Sequence, residues 1–173
     1  MKYKLLIFSA FLLLFGCKED FSVWKAYNEK WLADNKENYI DSLLNDSVKD
    51  GYVDAGITKS GIQYIIYNKG NVGEAIAKLS SYVKVKYRYW LIDGSNAGYD
   101  TGEEAWDMTK YTAGVQEMLF KYPKGSKFKL FIPWNLAYGQ NGLNAAAVNR
   151  FFIPPYSTII ADMEIIDVFQ NSP

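Results

Sequence analysis

Tyr82–Gly94 reads YVKVKYRYWLIDG, and its alternation decides the fold. Val83, Val85, Tyr87, Tyr89 and Leu91 fall on one face, Lys84, Lys86 and Arg88 on the other. A period of two with one apolar and one charged face predicts a strand in a sheet that is half buried and half wet. Asp93-Gly94 closes the run with a turn signal. Upstream, Ser60-Gly61 and Asn68-Lys69-Gly70 bracket a second short β-run, IQYIIY. Downstream, AGVQEMLFKYPKG places Val115, Met118, Leu119 and Tyr122 at helical spacing and stops at Pro123 and Gly125. SKFKLFIPW alternates again through Phe128, Leu130 and Ile132. A long loop over residues 135–150 leads to FFIPPYSTIIADMEIID, whose second half is the last strand. Pro154-Pro155 fits neither a helix interior nor a central strand, so it makes a stiff corner ahead of that strand. The corner is either a lead into a hairpin or one wall of a pocket. The order is strand, strand, short helix, strand, long loop, strand. An antiparallel β-sheet on one short helix is an α+β domain.

The chain has 173 residues, 49% of them apolar and 17% aromatic, enough for a real core in one domain with an appendage. Formal charge is zero and no basic stripe runs along any element, which argues against a nucleic-acid partner. There is no histidine. That removes Ser-His-Asp and Cys-His catalysis, histidine zinc sites and a histidine pH switch. No cofactor or metal site is expected.

The single cysteine, Cys17, closes MKYKLLIFSAFLLLFGC. Lys2 and Lys4 form a positive n-region ahead of an apolar stretch shorter than the roughly 20 residues a bilayer span needs. Leu14-Phe15-Gly16-Cys17 resembles a bacterial lipobox, which implies cleavage before Cys17, its acylation, and tethering to a membrane. Lys18-Glu19-Asp20 resembles an acidic export tag, or is a short solvated linker. The expected location is the bacterial outer membrane, on its periplasmic or cell-surface side. Within 21–47, Trp24, Tyr27 and Trp31 start an amphipathic stripe, with Ser22 as a candidate N-cap and a break near Asn35. The stripe packs on its own domain, on a second copy as a homodimer, or on a partner in an envelope complex. The expected division is residues 1–16 signal peptide, 17–56 lipidated linker and helical segment, 57–173 main domain.

The blocks VKVKYRYWLIDG…YD, AGVQEMLFKYPKGSKFKLFIP, LAYG and FFIPPYSTIIADMEI resemble, in order and separation, the FKBP-type peptidyl-prolyl cis-trans isomerases over residues 60–168. The resemblance implies an FKBP-like sheet wrapped on its helix. It also implies isomerisation of X–Pro bonds in proline-containing polypeptide clients, without proton transfer. By the same resemblance Tyr87, Tyr99, Asp100, Tyr138 and Ile153 are the catalytic set, and Trp106, Tyr111, Thr112, Val115 and Phe152 complete the substrate pocket. Five residues depart from the family pattern. Val115 stands for a floor tryptophan, Tyr111-Thr112 for an aliphatic pair, Ala161 for an aromatic wall, and Tyr89 for a glycine. These imply weakened catalysis, or a binding module or chaperone on the same fold, unless Tyr111 or the loop QNGLNAAAVNRFF refills the lost apolar area.

Overall fold

The computed structural model describes residues 20–46, 51–143 and 152–171. Cys17, the lipobox, Lys18-Glu19 and Ser47 lie outside them. Seven strands form an antiparallel sheet in the order β1-β2-β6-β7-β3-β4, with β5 also on β3. They are β1 (Asp54–Ile57), β2 (Gln63–Lys69), β3 (Tyr82–Trp90), β4 (Asn96–Thr101), β5 (Trp106–Asp107), β6 (Ser126–Ile132) and β7 (Ile159–Phe169). The helices are α1 (Ser22–Asn35), α2 (Asp41–Asn45) and α3 (Ala113–Leu119). The α+β expectation therefore holds.

β3 lies inside the sheet, between β7 and β4. Its Val83, Val85 and Tyr89 are buried with Val115, Met118 and Leu119 of α3 and with Phe128, Leu130 and Ile132 of β6. This is the α3 face of the sheet. Because side chains alternate, Phe131 of β6 points the other way. There it meets Trp31 at 5.9 Å and Tyr39 at 6.3 Å between ring centroids, beside fully buried Ile40. The sheet thus carries apolar packing on both faces, and Trp24 and Trp31 of the α1 stripe pack on their own domain.

α1 departs from its sequence reading in two places. Ser22 is the first helical residue and not the cap, and its N–H donates to the Asp20 carboxylate at 2.9 Å. That bond holds the Asp20 carboxyl below its usual range. Asn28, and not Tyr27, is the inward position between Trp24 and Trp31. Asn28 is fully buried, and Tyr27 is half exposed. The break near Asn35 is a π-helical turn over Lys36–Ile40. β1, β4 and β5 were absent from the sequence order. Each is short, and β1 and β4 are glycine-bearing edge strands, where one-sided pairing leaves no alternation to read. No helix among the described residues is long and apolar enough to cross a membrane.

Candidate active site

β3 sends Tyr87 and Tyr89 to the α3 face, their rings stacked with centroids 4.2 Å apart and planes at 25°. Asp100 pairs with Tyr87 across β4 and joins the same face. Its Oδ1 accepts from Gly102 N–H at 2.7 Å and its Oδ2 from the Trp106 indole at 3.0 Å. The carboxylate is therefore locked into the strand connection, and Trp106 is its partner, with a ring that stays largely exposed. Tyr111 enters from the turn before α3, where its hydroxyl donates to the Val83 carbonyl at 3.0 Å. Thr112 is the N-cap residue of α3, extended at ψ 157° and making no side-chain cap bond. Val115 lies one turn on, 1% exposed.

Tyr138 and Ile153 arrive on opposite arms of the loop between β6 and β7. Leu143 and Ile153 exchange backbone hydrogen bonds at 2.8 and 3.0 Å, which closes the base of the loop. Gly142 (φ +63°) is required there, because a Cβ would collide with the Ile153 carbonyl and the Pro154-Pro155 link. Tyr156 takes a left-handed φ of +61°, held by its N–H on the Gly139 carbonyl at 2.9 Å. Ile153 is completely buried, whereas Phe152 beside it is 55% exposed and flanks the wall.

α1 braces this loop. The Trp24 indole donates to Ser157 Oγ at 2.9 Å. Asn28 donates to the Trp24 carbonyl at 2.9 Å and accepts the Thr158 N–H at 2.7 Å. Trp134 packs edge-on against Tyr156 at 5.1 Å, with Lys25 over both rings. The two residues just ahead of β7 are thus fixed by a helix more than a hundred residues away. Sequence reading missed Asn28 and Ser157. The available signal was a polar residue one turn after Trp24 on the buried stripe.

The phenols share one environment. Burial, then the nearby Tyr138 and Asp100, push the Tyr87 hydroxyl up to about 12. Tyr89 is raised well above its ordinary value by burial, then by Tyr138, Tyr87, Tyr111 and Asp100. Burial lifts Tyr111, with Asp100 and Tyr87 adding to it, and burial lifts Tyr138. All four stay neutral hydrogen-bond donors at physiological pH. Among the described residues nothing hydrogen-bonds the hydroxyls of Tyr87, Tyr89 or Tyr138.

The sequence-chosen residues Tyr87, Asp100, Tyr111, Val115, Tyr138 and Ile153 come together around the α3 face, with Trp106, Thr112 and Phe152 at its margin. Tyr99 does not join by register. It pairs with Arg88, so strand alternation turns it to the opposite face, and it is 61% exposed. There it lines a hollow of about 460 Å³ with Lys86, Arg88 and Trp90, which Tyr87 and Asp100 also border. Lys127–Glu164 and Lys129–Asp162 ion pairs at 3.1 and 3.2 Å border that hollow. Tyr87 and Asp100 border both this hollow and the tyrosine cluster, and the cluster, with its buried apolar surround, is the better host for an uncharged reaction.

The departures at 89 and 161 form one cross-strand pair. Tyr89 sits opposite Ala161 on β7 and Gly98 on β4. The Tyr89 ring therefore occupies the space over two neighbours without large side chains. Tyr89 thus puts an aromatic ring over this part of the sheet, and Tyr111 brings a second ring to the same core cluster.

Residues 73–166, more than half of the chain, match the family model described as FKBP-type peptidyl-prolyl cis-trans isomerase. The FKBP-type 22 kDa peptidyl-prolyl cis-trans isomerase of Escherichia coli is 35% identical over 114 residues, 64% of this chain and 52% of that protein. FkpA of Aeromonas hydrophila is 31% identical over 147 residues, 83% of this chain and 50% of that one. The chain spans about half the length of these curated relatives. The crystal structure of FkpA from Escherichia coli superposes with a TM-score of 0.60 at 31% identity, covering 84% of this chain and 64% of that one. A Pseudomonas syringae peptidyl-prolyl cis-trans isomerase shares the fold at TM-score 0.67 and 21% identity, covering 88% and 98%.

Proposed function

Because the chain belongs to the FKBP-type peptidyl-prolyl cis-trans isomerase family, we propose that its tyrosine cluster isomerises X–Pro bonds in polypeptide clients. The observation that carries this reading is the convergence of Tyr87, Tyr89 and Tyr138, half to fully buried, with hydroxyls that no described residue engages. Rotation about an X–Pro bond faces a barrier of about 18–20 kcal/mol because amide resonance is lost on the way. No bond forms or breaks, so neither a nucleophile nor a proton carrier is required. An apolar surround disfavours the polar planar amide relative to the twisted one, and neutral donors fix the flanking carbonyls. Aromatic walls with a few polar tips supply both. Tyr138 is the carbonyl donor in this scheme, Ile153 and Tyr87 are walls, and Asp100 and Trp106 hold the β4–β5 connection in place.

The apolar run ahead of Cys17 supports a lipid-tethered protein of the outer membrane, acting on exported clients. The braced loop and the replaced aromatic lining favour a working site over a bare binding module. The test is proline-limited refolding of a denatured client, whose slow phase lasts tens of seconds unaided. Substoichiometric protein is expected to shorten that phase. An unchanged slow phase with improved yield would leave a chaperone instead.

A further inference from the structure

We propose that Tyr89 is itself a substrate-contacting residue, its hydroxyl donating a hydrogen bond to a backbone carbonyl of the peptide that Tyr138 also holds. This rests on the isomerase reading and adds a second phenolic donor to it.

Four observations support the assignment. The ring is fixed, stacked on Tyr87 at 4.2 Å and only 5% exposed. Its strand neighbours Gly98 and Ala161 put no large side chain beside it. Gly98, at φ +150°, lies under both rings, since a Cβ there would meet Tyr89 Cδ2 at 3.8 Å and Tyr87 Cε2 at 3.9 Å.

The hydroxyl has no protein partner among the described residues. Buried tyrosine hydroxyls ordinarily find one, as Tyr111 does on the Val83 carbonyl. Asp100, the carboxylate of the cluster, is held by Gly102 and Trp106 and makes no bond to this hydroxyl. A rigid ring with an unengaged donor beside Tyr138 is arranged for a ligand carbonyl.

The experiment compares wild type with Tyr89→Phe, which keeps the stacked ring and removes one oxygen. An NMR titration with an Ala-Leu-Pro-Phe-type tetrapeptide measures affinity, exchange spectroscopy on the same samples measures cis–trans rate, and urea unfolding checks the fold. Loss of one neutral hydrogen bond to ligand predicts an affinity or rate about three- to tenfold lower, with an unchanged unfolding midpoint. Equal affinity and equal rate would overturn the inference and assign the hydroxyl to solvent alone. If wild type binds the peptide without accelerating exchange, the isomerase reading falls. The Tyr89 contact is then decided by whether Tyr89→Phe weakens binding. If wild type does not bind, both fall.

Discussion

Tyr87 shows how a single position carries both fold and function. Its place on the apolar face of YVKVKYRYW was legible from alternation alone. Its stacking on Tyr89 was not, because period-two reasoning assigns a face but not a ring geometry. Tyr99 turns away from the cluster for a related reason. It is adjacent to Asp100 in sequence, but neighbours on a strand point to opposite faces. The raised phenols make a pH prediction. An unfolded tyrosine ionises near 10, whereas Tyr87 in the fold ionises at about 12, with Tyr89, Tyr111 and Tyr138 also raised. Above pH ~10 the unfolded chain releases these protons first, so the stability that neutral phenols confer is whole below that pH. It drains away as pH rises through about 12. Urea midpoints measured against pH should show a fall that begins near pH ~10 and is shallower in Tyr87→Phe. With no histidine in the chain, peptide isomerisation should be flat from pH ~6 to ~9.

At the level of elements, α1 and the Pro-Pro corner work as one unit. The sequence showed an amphipathic helix and a stiff corner but not that one seats the other, because long-range pairing leaves no mark in local periodicity. β3, α3 and β6 could be read directly from their apolar faces, whereas the edge strands β1 and β4 could not. Asn28 is the joint. It is fully buried and holds the Thr158 N–H at 2.7 Å. Asn28→Ala strands that donor in a dry interface, which should cost about 1–3 kcal/mol in urea unfolding. The same variant should loosen Tyr138 and Ile153 and so slow isomerisation, while Lys30→Ala on the solvent side of α1 should change neither. Equal stability in Asn28→Ala would mean that the helix rests on the sheet without holding the loop.

Across the whole molecule, one sheet serves two faces. The α1 face uses Phe131, Ile65 and Ile40 to fasten the N-terminal helices, and the α3 face gathers the phenols. This division leaves the α3 face free to build an aromatic site although Val115 stands on the α3 floor. Tyr89 and Tyr111 bring their rings from β3 and from the turn before α3. The family frame was visible in four sequence blocks, but the compensation was not, because it depends on which residues face each other across strands. Two-dimensional exchange NMR on an X–Pro tetrapeptide, with and without catalytic amounts of protein, tests the central claim most directly. Wild type should produce cis–trans cross-peaks within a second, and Tyr138→Phe should weaken them several-fold at unchanged stability. Cross-peaks that stay absent with wild type, at concentrations where the peptide binds, would contradict the account.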